Sequence, residues 1–356
     1  MTKVNRRDFV LGSGAILSVG SSIGLMTNAH ANDATGAWTP LRDMPFPVQE
    51  IYPAAFRKSS DPGPSLKPKP LDILVNAGGM TPDDEYFNVT DAVTFYDPAY
   101  DAWGYGTPLP EPRHHLSLVN NNGLLYAIGG FARNDRGGWQ MRSVCWRLRE
   151  LNGRWERMRS LPHPQAESVC LSLNRYIHVV GGRAPAGSSN AQWSDHIDTD
   201  EHWYFDAGEN RWHSLAPLPR PRNSSAGAVV NGVLYVIGGR TVSDGNMTAV
   251  DVYDPLADRW EAAKPMPKAQ AGLAASVLNG KIYVFGGEYF KPGNGGVFAE
   301  AWEYDPDKDD WRAVAAMPRP RHGLGAVTLG NAIYVLGGAS QPSGVGTSAA
   351  LDRFEI

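Results

Sequence analysis

Six Gly-Gly doublets recur along this chain at intervals of 48 to 57 residues, and this repeat constrains the fold more than any other feature. Each unit also carries short aliphatic runs and a tryptophan. A period near 50 residues with these elements is typical of a β-propeller, in which each repeat forms one four-stranded blade. The sequence therefore predicts an all-β chain of six antiparallel blades around a central channel. The doublets begin at Gly78, Gly129, Gly181, Gly238, Gly286 and Gly337.

Tryptophans mark one fixed point in the repeat. Each of five tryptophans precedes the next doublet by 26 residues, and an apolar or aromatic residue stands seven positions before it. Asp-Pro follows that residue in three repeats and favours a turn. We expect a strand to end there and the tryptophan to begin an outer strand, where its ring covers the gap between blades. The tryptophans are Trp103, Trp155, Trp212, Trp260 and Trp311, preceded by Tyr96, Leu148, Phe205, Tyr253 and Tyr304.

The combination of Gly-Gly, Tyr-Asp-Pro, tryptophan and Met-Pro-x-Pro-Arg resembles the kelch repeat, a family of six- or seven-bladed propellers. The resemblance covers the whole mature chain and departs from the pattern only in blade 2, at residues 145–149. The last repeat lacks its tryptophan strand, and residues 38–41 match that strand. We therefore expect the N-terminal strand to complete the last blade and to pair its open edge.

Residues 1–31 have the pattern of an export signal. A basic segment is followed by a weakly apolar run and by an A-x-A cleavage site at 29–31. Arg6 and Arg7, followed by Asp-Phe-Val-Leu, resemble the twin-arginine motif, which implies export of a folded protein through the twin-arginine (Tat) translocon. We predict a signal peptide at 1–31, a propeller at 32–356 and a periplasmic location. We also predict no membrane span after cleavage, because the apolar run is shorter than the ~20 apolar residues that a span needs.

Composition and missing motifs narrow the choice of function. A net charge of −4 gives no basic field for a polyanionic backbone, so nucleic acid is not an expected partner. Dinucleotide and P-loop signatures are absent from the sequence, and the one G-x-S-x-G match, at residues 20–24, lies in the predicted signal peptide. We predict no cofactor. Cys145 and Cys170 are too few for a disulfide scaffold, and either two buried thiols or one bridge fits the sequence.

The polar residues of the inner strands point to a site at the channel mouth. Counting fourteen residues back from each doublet reaches the position expected to face the mouth, which holds His115, Glu167, Ser224, Gly272 and Gly323, with Glu50 equivalent in blade 1. A carboxylate near a channel axis is costly unless it is paired or used in function. We predict that the proton carriers Glu50, Glu167, His115 and His322 are the catalytic candidates.

Arginines are expected to form an anion-binding rim. Arg113, Arg222 and Arg321 stand two residues before the mouth-facing position, and Arg183, Arg240 and Glu288 follow their doublets directly. Guanidinium groups bind carboxylates or phosphates through paired hydrogen bonds. The Pro-Arg element recurs in kelch repeats generally. Arg113, Arg222 and Arg321 are therefore compatible with two roles: bonding carbonyls or acids between blades, or binding a ligand.

Two loops add aromatic and acidic side chains. Trp139 and Trp193 are placed to stack on a sugar ring or to fold back on their own loops. Asp195, His196, Asp198 and His202 form an acidic, histidine-containing stretch whose spacing matches no zinc motif. We interpret it as a solvated loop and predict no metal.

Two functions remain compatible with these features. The first is a periplasmic propeller that binds a small, anionic carbohydrate and acts as a cofactor-independent mutarotase or epimerase, as the resemblance to six-bladed sialic acid mutarotases implies. The second is a non-catalytic module of the cell envelope that binds a protein or a glycan. A copper radical oxidase is disfavoured, because both cysteines fall in regular strand positions.

Overall fold

The structure is a computed structural model that describes residues 35–58, 71–82, 87–291 and 294–356, so the predicted signal peptide lies outside the described residues. Ala34–Ile356 forms one compact unit that contains six four-stranded antiparallel sheets. The innermost strands of successive sheets contact one another all the way round, and those of the last and first sheets also touch. The expected six-bladed, all-β propeller is therefore confirmed.

In blades 1 to 5 the four strands follow one another outward from the channel in chain order, and in blade 6 the first strand of the chain takes the outermost place. From innermost to outermost, the bounds are Ala54–Lys58, Leu71–Ala77, Val93–Asp97 and Ala102–Tyr105 in blade 1; Ser117–Asn121, Leu124–Ile128, Cys145–Leu148 and Glu156–Met158 in blade 2; Val169–Leu173, Tyr176–Val180, His202–Asp206 and Arg211–Ser214 in blade 3; Ala226–Val230, Val233–Ile237, Val250–Asp254 and Arg259–Ala262 in blade 4; Ala274–Leu278, Lys281–Phe285, Ala301–Asp305 and Asp310–Val314 in blade 5; and Gly325–Leu329, Ala332–Leu336, Leu351–Glu355 and Ala37–Pro40 in blade 6.

Short elements between the second and third strands rise over one face of the ring. Blades 1–5 carry two-stranded "mouth hairpins", and two 3₁₀ turns lie at Trp193–Asp195 and Pro342–Gly344. Within the described ranges, no helix is long and apolar enough to span a membrane. The hairpins are formed by Met80–Pro82 with Phe87–Val89, Phe131–Arg133 with Trp139–Met141, Arg183–Pro185 with His196–Asp198, Arg240–Thr241 with Gly245–Asn246, and Glu288–Lys291 with Asn294–Val297.

The N-terminal strand closes the ring. Ala37–Pro40 pairs antiparallel with Leu351–Glu355, and Trp38 lies opposite Phe354. The rings of Trp38 and Phe354 are 4.9 Å apart, and Trp38 also meets Phe285 of blade 5 edge to face at 5.4 Å. The expected closure of the last blade by the N-terminal segment is thus confirmed.

Every blade is fastened to its predecessor by an indole hydrogen bond. The tryptophan Nε1–H donates to the carbonyl four residues beyond the tryptophan of the preceding blade, at 2.8–3.0 Å. In every blade except blade 2, which has Leu148 at the corresponding position, the same ring packs on the aromatic residue opposite it in the third strand, as in the Tyr253–Trp260 pair at 5.1 Å. The bonds run from Trp38 to Ala315, Trp103 to Arg42, Trp155 to Thr107, Trp212 to Arg159, Trp260 to Ala216, and Trp311 to Lys264.

The Gly-Gly doublets make the close contact between inner parts of neighbouring blades. Gly78 and Gly79 have φ of 71° and 115°, a region that favours glycine. A Cβ at Gly78 would lie 2.3 Å from the Arg113 carbonyl oxygen of blade 2, to which the Gly79 amide donates at 2.7 Å. Equivalent amide-to-carbonyl bonds occur at all six doublets, which explains why the repeat requires glycine there.

The two cysteines are free thiols. Cys145 is buried and Cys170 is partly buried, and both pack in the apolar cluster between blades 2 and 3. Burial raises the pKa of both thiols, so they are protonated and unreactive at neutral pH.

A buried histidine pair lies between blades 3 and 4. His178 Nδ1 is 3.0 Å from His202 Nε2, and the His202 ring meets Tyr253 at 4.5 Å. Burial lowers the pKa of His178 to about 4 and, with the neighbouring His178, lowers that of His202 to about 3. The Asp258 carboxylate acts on His202 in the opposite direction without reversing the shift. Both imidazoles are therefore neutral in the folded protein at neutral pH.

We predict that Trp38→Phe lowers the free energy of unfolding by about 1 kcal/mol, because it leaves the Ala315 carbonyl without its donor while keeping an aromatic ring. Urea unfolding measures the change. Trp193→Phe is the matched control, since Trp193 is 43% exposed on a loop of the mouth face. Equal unfolding midpoints for the two variants would show that the closing hydrogen bond does not stabilise the ring.

We also predict that stability falls as the pH drops from about 6.5 to about 4. In this window the unfolded chain binds protons at His178 and His202 that the folded chain does not, so protonation favours unfolding. Denaturant unfolding at half-unit pH steps measures the slope. His178→Phe should flatten it, whereas His163→Gln, at an exposed position, should not. An unchanged slope in His178→Phe would contradict this assignment.

Candidate functional site

Six equivalent residues form a ring, here called the mouth ring, where the inner strands approach the channel mouth. Each has a left-handed backbone, with φ between 50° and 65°. At five junctions the amide of a ring residue donates to the ring carbonyl of the preceding blade at 2.7–3.3 Å. Left-handed backbone is costly for non-glycine residues and is concentrated at functional sites. The ring consists of Glu50, His115, Glu167, Ser224, Gly272 and Gly323.

A second tier lies directly above the mouth ring. The residue before each ring residue forms an isolated antiparallel bridge with the residue that follows the blade's own doublet. Because both tiers come from backbone pairing, the side chains at the mouth have fixed positions. The bridges join Gln49 to Met80, His114 to Phe131, Ala166 to Arg183, Asn223 to Arg240, Ala271 to Glu288, and His322 to Ala339.

These tiers enclose one end of a cleft of about 1450 Å³. Its axial end is lined by charged and imidazole side chains, and it extends outward over blades 4 and 5. The shape is uneven because blades 5 and 6 contribute only glycine to the mouth ring. The axial lining includes Glu50, His114, His115, Arg183, Asn223, Arg240, Glu288 and His322.

Glu50, His115 and His114 form a hydrogen-bonded chain. The Glu50 Oε2 to His115 Nε2 distance is 2.7 Å, and the Nδ1 atoms of His115 and His114 are 2.6 Å apart. Burial alone would raise the pKa of Glu50 and lower that of His115. Their mutual attraction prevails, so the pKa of Glu50 is held well below its usual range and that of His115 is raised.

The protonation states of the chain follow from these shifts. Burial and the neighbouring His115 lower the pKa of His114 well below its usual range, so His114 is neutral. Protonated His115 then donates from Nε2 to Glu50 and from Nδ1 to His114. His114 must carry its own proton on Nε2, a buried atom with no hydrogen-bond partner in the described part of the chain, and the residue itself lines the cleft.

A second charged group spans blades 4 to 6. Arg240 Nη1 lies 2.6 Å from Glu288 Oε1, and His322 Nδ1 lies 3.5 Å from Glu288 Oε2 and 3.7 Å from Glu50 Oε1. His322 Nε2 lies 2.9 Å from the Gln341 carbonyl oxygen, to which it donates. Its Nδ1 is buried without a close hydrogen-bond partner and faces two carboxylates.

A third group lies at blade 3. Glu167 Oε2 accepts a hydrogen bond from Ser224 Oγ at 2.7 Å, whereas Oε1 is 4.0 Å from Arg183 Nη1 and has no hydrogen-bond partner. Arg183 Nε is also buried and unpaired. Its guanidinium lies 3.8 Å from the centre of the Trp193 ring. Glu167 is fully buried beneath the cleft, and Arg183 forms part of its wall.

Both candidate tryptophans reach the cleft. Trp139 packs edge to face on His114 at 4.5 Å, and Trp193 is 43% exposed over Arg183. Phe131 lies beneath both loops and stacks on His114 at 5.1 Å. The tryptophans therefore rest partly on the site's own side chains and still present aromatic surface to the cleft.

The structure corrects the expectation that Arg113, Arg222 and Arg321 form a ligand-binding rim. All three are 1% exposed and none lines the cleft. The left-handed ring residue redirects the chain, so a side chain two positions earlier points into its own blade. There Arg113 donates to the Gly129 carbonyl at 2.6 Å, Arg222 donates to the Gly238 carbonyl at 2.9 Å, and Arg321 pairs with Asp352 at 3.1 Å. They bind carbonyls and acids of the fold.

The side chains of the acidic stretch of blade 3 each bond to a different part of the protein. Asp195 accepts backbone amides of its own loop, His196 lies 3.2 Å from the Asn190 amide oxygen, and Asp198 accepts a hydrogen bond from Asn223. His202 is inside the blade with His178. In the part of the chain that the structure describes, no group of three His, Cys, Asp or Glu side chains is placed to hold a metal ion.

Sequence reasoning missed His114 and Asn223. They stand one residue before the mouth ring, at the position that in blade 6 holds His322. The sequence contains a signal for them, because the residue before the mouth-facing position is polar in four blades. Strand alternation predicts that neighbouring residues face opposite ways, but the left-handed ring residues break that alternation.

We predict that Glu50→Gln lowers the pKa of His115 below its ordinary value of 6.5, because the carboxylate that outweighs burial is removed. NMR titration of the His115 ring protons measures the shift. Glu156→Gln, which removes a carboxylate paired only with arginines at the outer edge of blade 2, is the control. A His115 pKa that is the same in both variants would refute the proposed ion pair.

Comparison with known proteins agrees with this architecture. The family profile "KLHDC2/KLHL20/DRC7 Kelch-repeats domain" matches residues 198–352. Kelch-like protein 15 of Danio rerio is 30% identical over 65% of this chain and 39% of its own length. Kelch-like protein terF of Aspergillus terreus is 25% identical over 79% of this chain and 60% of its own. The chain thus spans less than two thirds of these curated relatives.

A solved structure extends the likeness to nearly the whole fold. The structure of YjhT superposes with a TM-score of 0.68 and 17% identity, and covers 87% of this chain and 95% of that one. At this identity the match concerns the fold alone. Together with the repeat and the six closed blades, these similarities place the chain among the kelch-repeat proteins, as a six-bladed β-propeller.

Proposed function

We propose that this propeller binds a small acidic carbohydrate at the channel mouth and interconverts its anomers by proton transfer, without a cofactor. The observation that carries the proposal is a set of buried polar atoms around the axial end of the cleft that have no hydrogen-bond partner among the residues that the structure describes. They are His114 Nε2, Arg183 Nε, His322 Nδ1 and Glu167 Oε1. Unpaired buried polar groups are rare in folded proteins and mark positions where a ligand or water completes the bonding.

The chemistry of these atoms favours a ligand that both accepts and donates hydrogen bonds. His114 Nε2–H and Arg183 Nε–H are donors and fit a carboxylate or hydroxyl oxygen. Glu167 Oε1 accepts only, and fits a hydroxyl or amide N–H. A sugar acid carries both kinds of group on one ring, and Trp139 and Trp193 offer aromatic faces for its apolar surface.

The histidine chain supplies a path for a proton. A ligand oxygen takes the proton from His114 Nε2 while His114 Nδ1 takes the Nδ1 proton of His115. When the ring oxygen of a sugar accepts this proton and His322 Nδ1 removes the proton of the anomeric hydroxyl, the bond between the anomeric carbon and the ring oxygen breaks and a carbonyl forms. Closure from the other face reverses both transfers and gives the opposite anomer.

We further propose that the protein acts in the periplasm after export by the twin-arginine route. This rests on Arg6, Arg7 and the cleavage pattern at 29–31. Spontaneous mutarotation is slow enough for such an enzyme to be useful where sugars are taken up, and no energy source or cofactor is needed for it.

A non-catalytic interaction module is the second candidate, and one observation favours it. Five exposed large apolar side chains lie on the loops of the mouth face, in blades 3 to 6. Exposed apolar residues gathered around a pocket are a feature of surfaces that bind partners. They are Trp193, Ile197, Val242, Phe290 and Val345.

We predict that sugar acids such as galacturonate, glucuronate and N-acetylneuraminate raise the melting temperature, and that the matching neutral sugars do not. Arg183→Gln should weaken binding of the acids at least tenfold by calorimetry, because a charge-assisted hydrogen bond is lost. Arg149→Gln, on the outer part of blade 2, is the control. Stabilisation by neutral sugars alone would refute the acidic ligand.

Catalysis is tested with the same sugars by NMR exchange between α and β anomers. His114→Gln should reduce the exchange rate at least a hundredfold with binding retained, because the terminal donor of the proton path is lost. Binding of sugar acids with no acceleration of exchange by the unmodified protein would favour the interaction module.

A further inference from the structure

The cleft is larger than the proposed ligand requires. Pockets for small molecules generally enclose about 300–1,000 Å³. The cleft here has about 1450 Å³, and a large share of its lining belongs to blades 4 and 5 rather than to the axial site. The additional space is called the radial groove below, and it is lined by Thr241 to Asn246 of blade 4 and by Lys268, Tyr289, Phe290, Phe298 and Glu300 of blade 5.

The groove begins at the axial site and leads outward. Arg240 stands at its inner end, where it pairs with Glu288 and lies 5.9 Å from the centre of the Phe290 ring. Lys268 stands four residues before the ring residue Gly272, on the segment that runs inward from the outer edge of the propeller. The Lys268–Glu300 ion pair therefore marks the outer end.

Two other directions away from the axis, between blades 2 and 3 and between blades 6 and 1, are closed by contacts between loops. The loops of blades 2 and 3 are joined by Asn190, whose amide bonds the backbone of Met141 in both directions at 2.9 Å, and by Asn134, which donates to the Ala191 carbonyl at 2.7 Å. Blade 6 is tied to blade 1 by the bond from Gln49 to the Gly344 carbonyl at 2.6 Å.

Blades 4 and 5 are joined at depth on this face, where Asn246 donates to the Glu288 carbonyl at 2.6 Å and forms part of the groove lining. The described residues of the two mouth hairpins line the two sides of the groove. A ligand held at the axis that continues beyond one unit is therefore directed between blades 4 and 5.

The walls of the groove combine aromatic faces with small polar groups. Tyr289 and Phe298 pack against each other at 5.2 Å, and Phe290 is 55% exposed. Thr241, Ser243 and Asp244 supply hydroxyl and carboxylate groups on the blade 4 side. Aromatic rings that pack on apolar ring faces, next to groups that bond hydroxyls, suit a chain of sugar rings better than an extended apolar peptide.

We infer that the natural ligand is an acidic oligosaccharide, whose reducing-end acidic unit occupies the axial site and whose next one or two units lie in the radial groove. The inference rests on the proposed function, since it keeps the acidic unit at Arg183, Arg240 and His114. It adds that the chain length of the ligand is recognised, and that Phe290 is a residue that determines this specificity.

Calorimetry with the purified full-length chain tests the inference on two probe series. The first is galacturonate, digalacturonate and trigalacturonate, and the second is N-acetylneuraminate and its α2,8-linked dimer. In both series the reducing-end acidic unit keeps the free anomeric hydroxyl that the proposed reaction needs. At least one series should bind tenfold more tightly in its longest member than in its monosaccharide. Phe290→Ala should weaken binding of the longer probe roughly three- to tenfold, which is the contribution of one aromatic contact. The affinity for the monosaccharide should stay unchanged.

The matched control is Leu256→Ala. Leu256 is 98% exposed on an outer turn of blade 4, so its truncation removes apolar surface away from the groove. The inference fails, while the proposed function stands, if monosaccharide acids bind and neither added units nor Phe290→Ala changes affinity. Both fail if no acidic saccharide binds. Binding of triglutamate that depends on Phe290, with no saccharide bound, would assign the groove to an acidic peptide and also overturn the inference.

Discussion

The indole hydrogen bond from each tryptophan to the preceding blade is the interaction on which the rest of the structure depends. It repeats at six junctions, and the bond from Trp38 to the Ala315 carbonyl joins the first strand of the chain to blade 5. The tryptophan rings fill the outer gaps between sheets, and the Gly-Gly doublets allow the inner parts to meet through backbone contacts. The tryptophans thus set the spacing of the sheets at their outer edges, and the doublets set it near the channel. As a result, the six inner strands converge closely enough for one mouth-ring residue to bond the next.

This convergence explains why the site lies at the mouth. The mouth ring is held by backbone bonds in a left-handed conformation, so its side chains are free to differ from blade to blade. Blades 1 to 4 place Glu50, His115, Glu167 and Ser224 there, whereas blades 5 and 6 place glycine. The symmetric frame thus carries an asymmetric cleft, with charged groups around the axis and an opening toward blades 4 and 5. Cations and carboxylates are closely interleaved, which suits a ligand with both acidic and hydroxyl groups.

Much of the frame was predictable, because each prediction concerned a local rule repeated several times. The pairing of Tyr253 with Trp260 and the completion of blade 6 by Trp38 follow from spacing alone. The placement of His115 at the mouth also follows from the count back from the doublet, and that of Glu50 follows from alignment of its turn with those of the other blades. The placement of Arg113, Arg222 and Arg321 in the rim was wrong, since they are turned into their blades, whereas Arg183 and Arg240 of the predicted rim line the cleft. No single-strand rule predicts that turn, because it depends on bonds between blades.

The sequence by itself determined the number of blades, the closing strand and the types of side chain available near the channel, because glycine, tryptophan and proline act on the backbone at fixed positions in every repeat. Only the tertiary structure decided which polar atoms remain unpaired. His114 and His115 are neighbours in sequence, yet their opposite pKa shifts depend on Glu50 from another blade. Likewise, the groove between blades 4 and 5 exists because loops elsewhere on the face bond to each other, and such bonds join residues far apart in the chain.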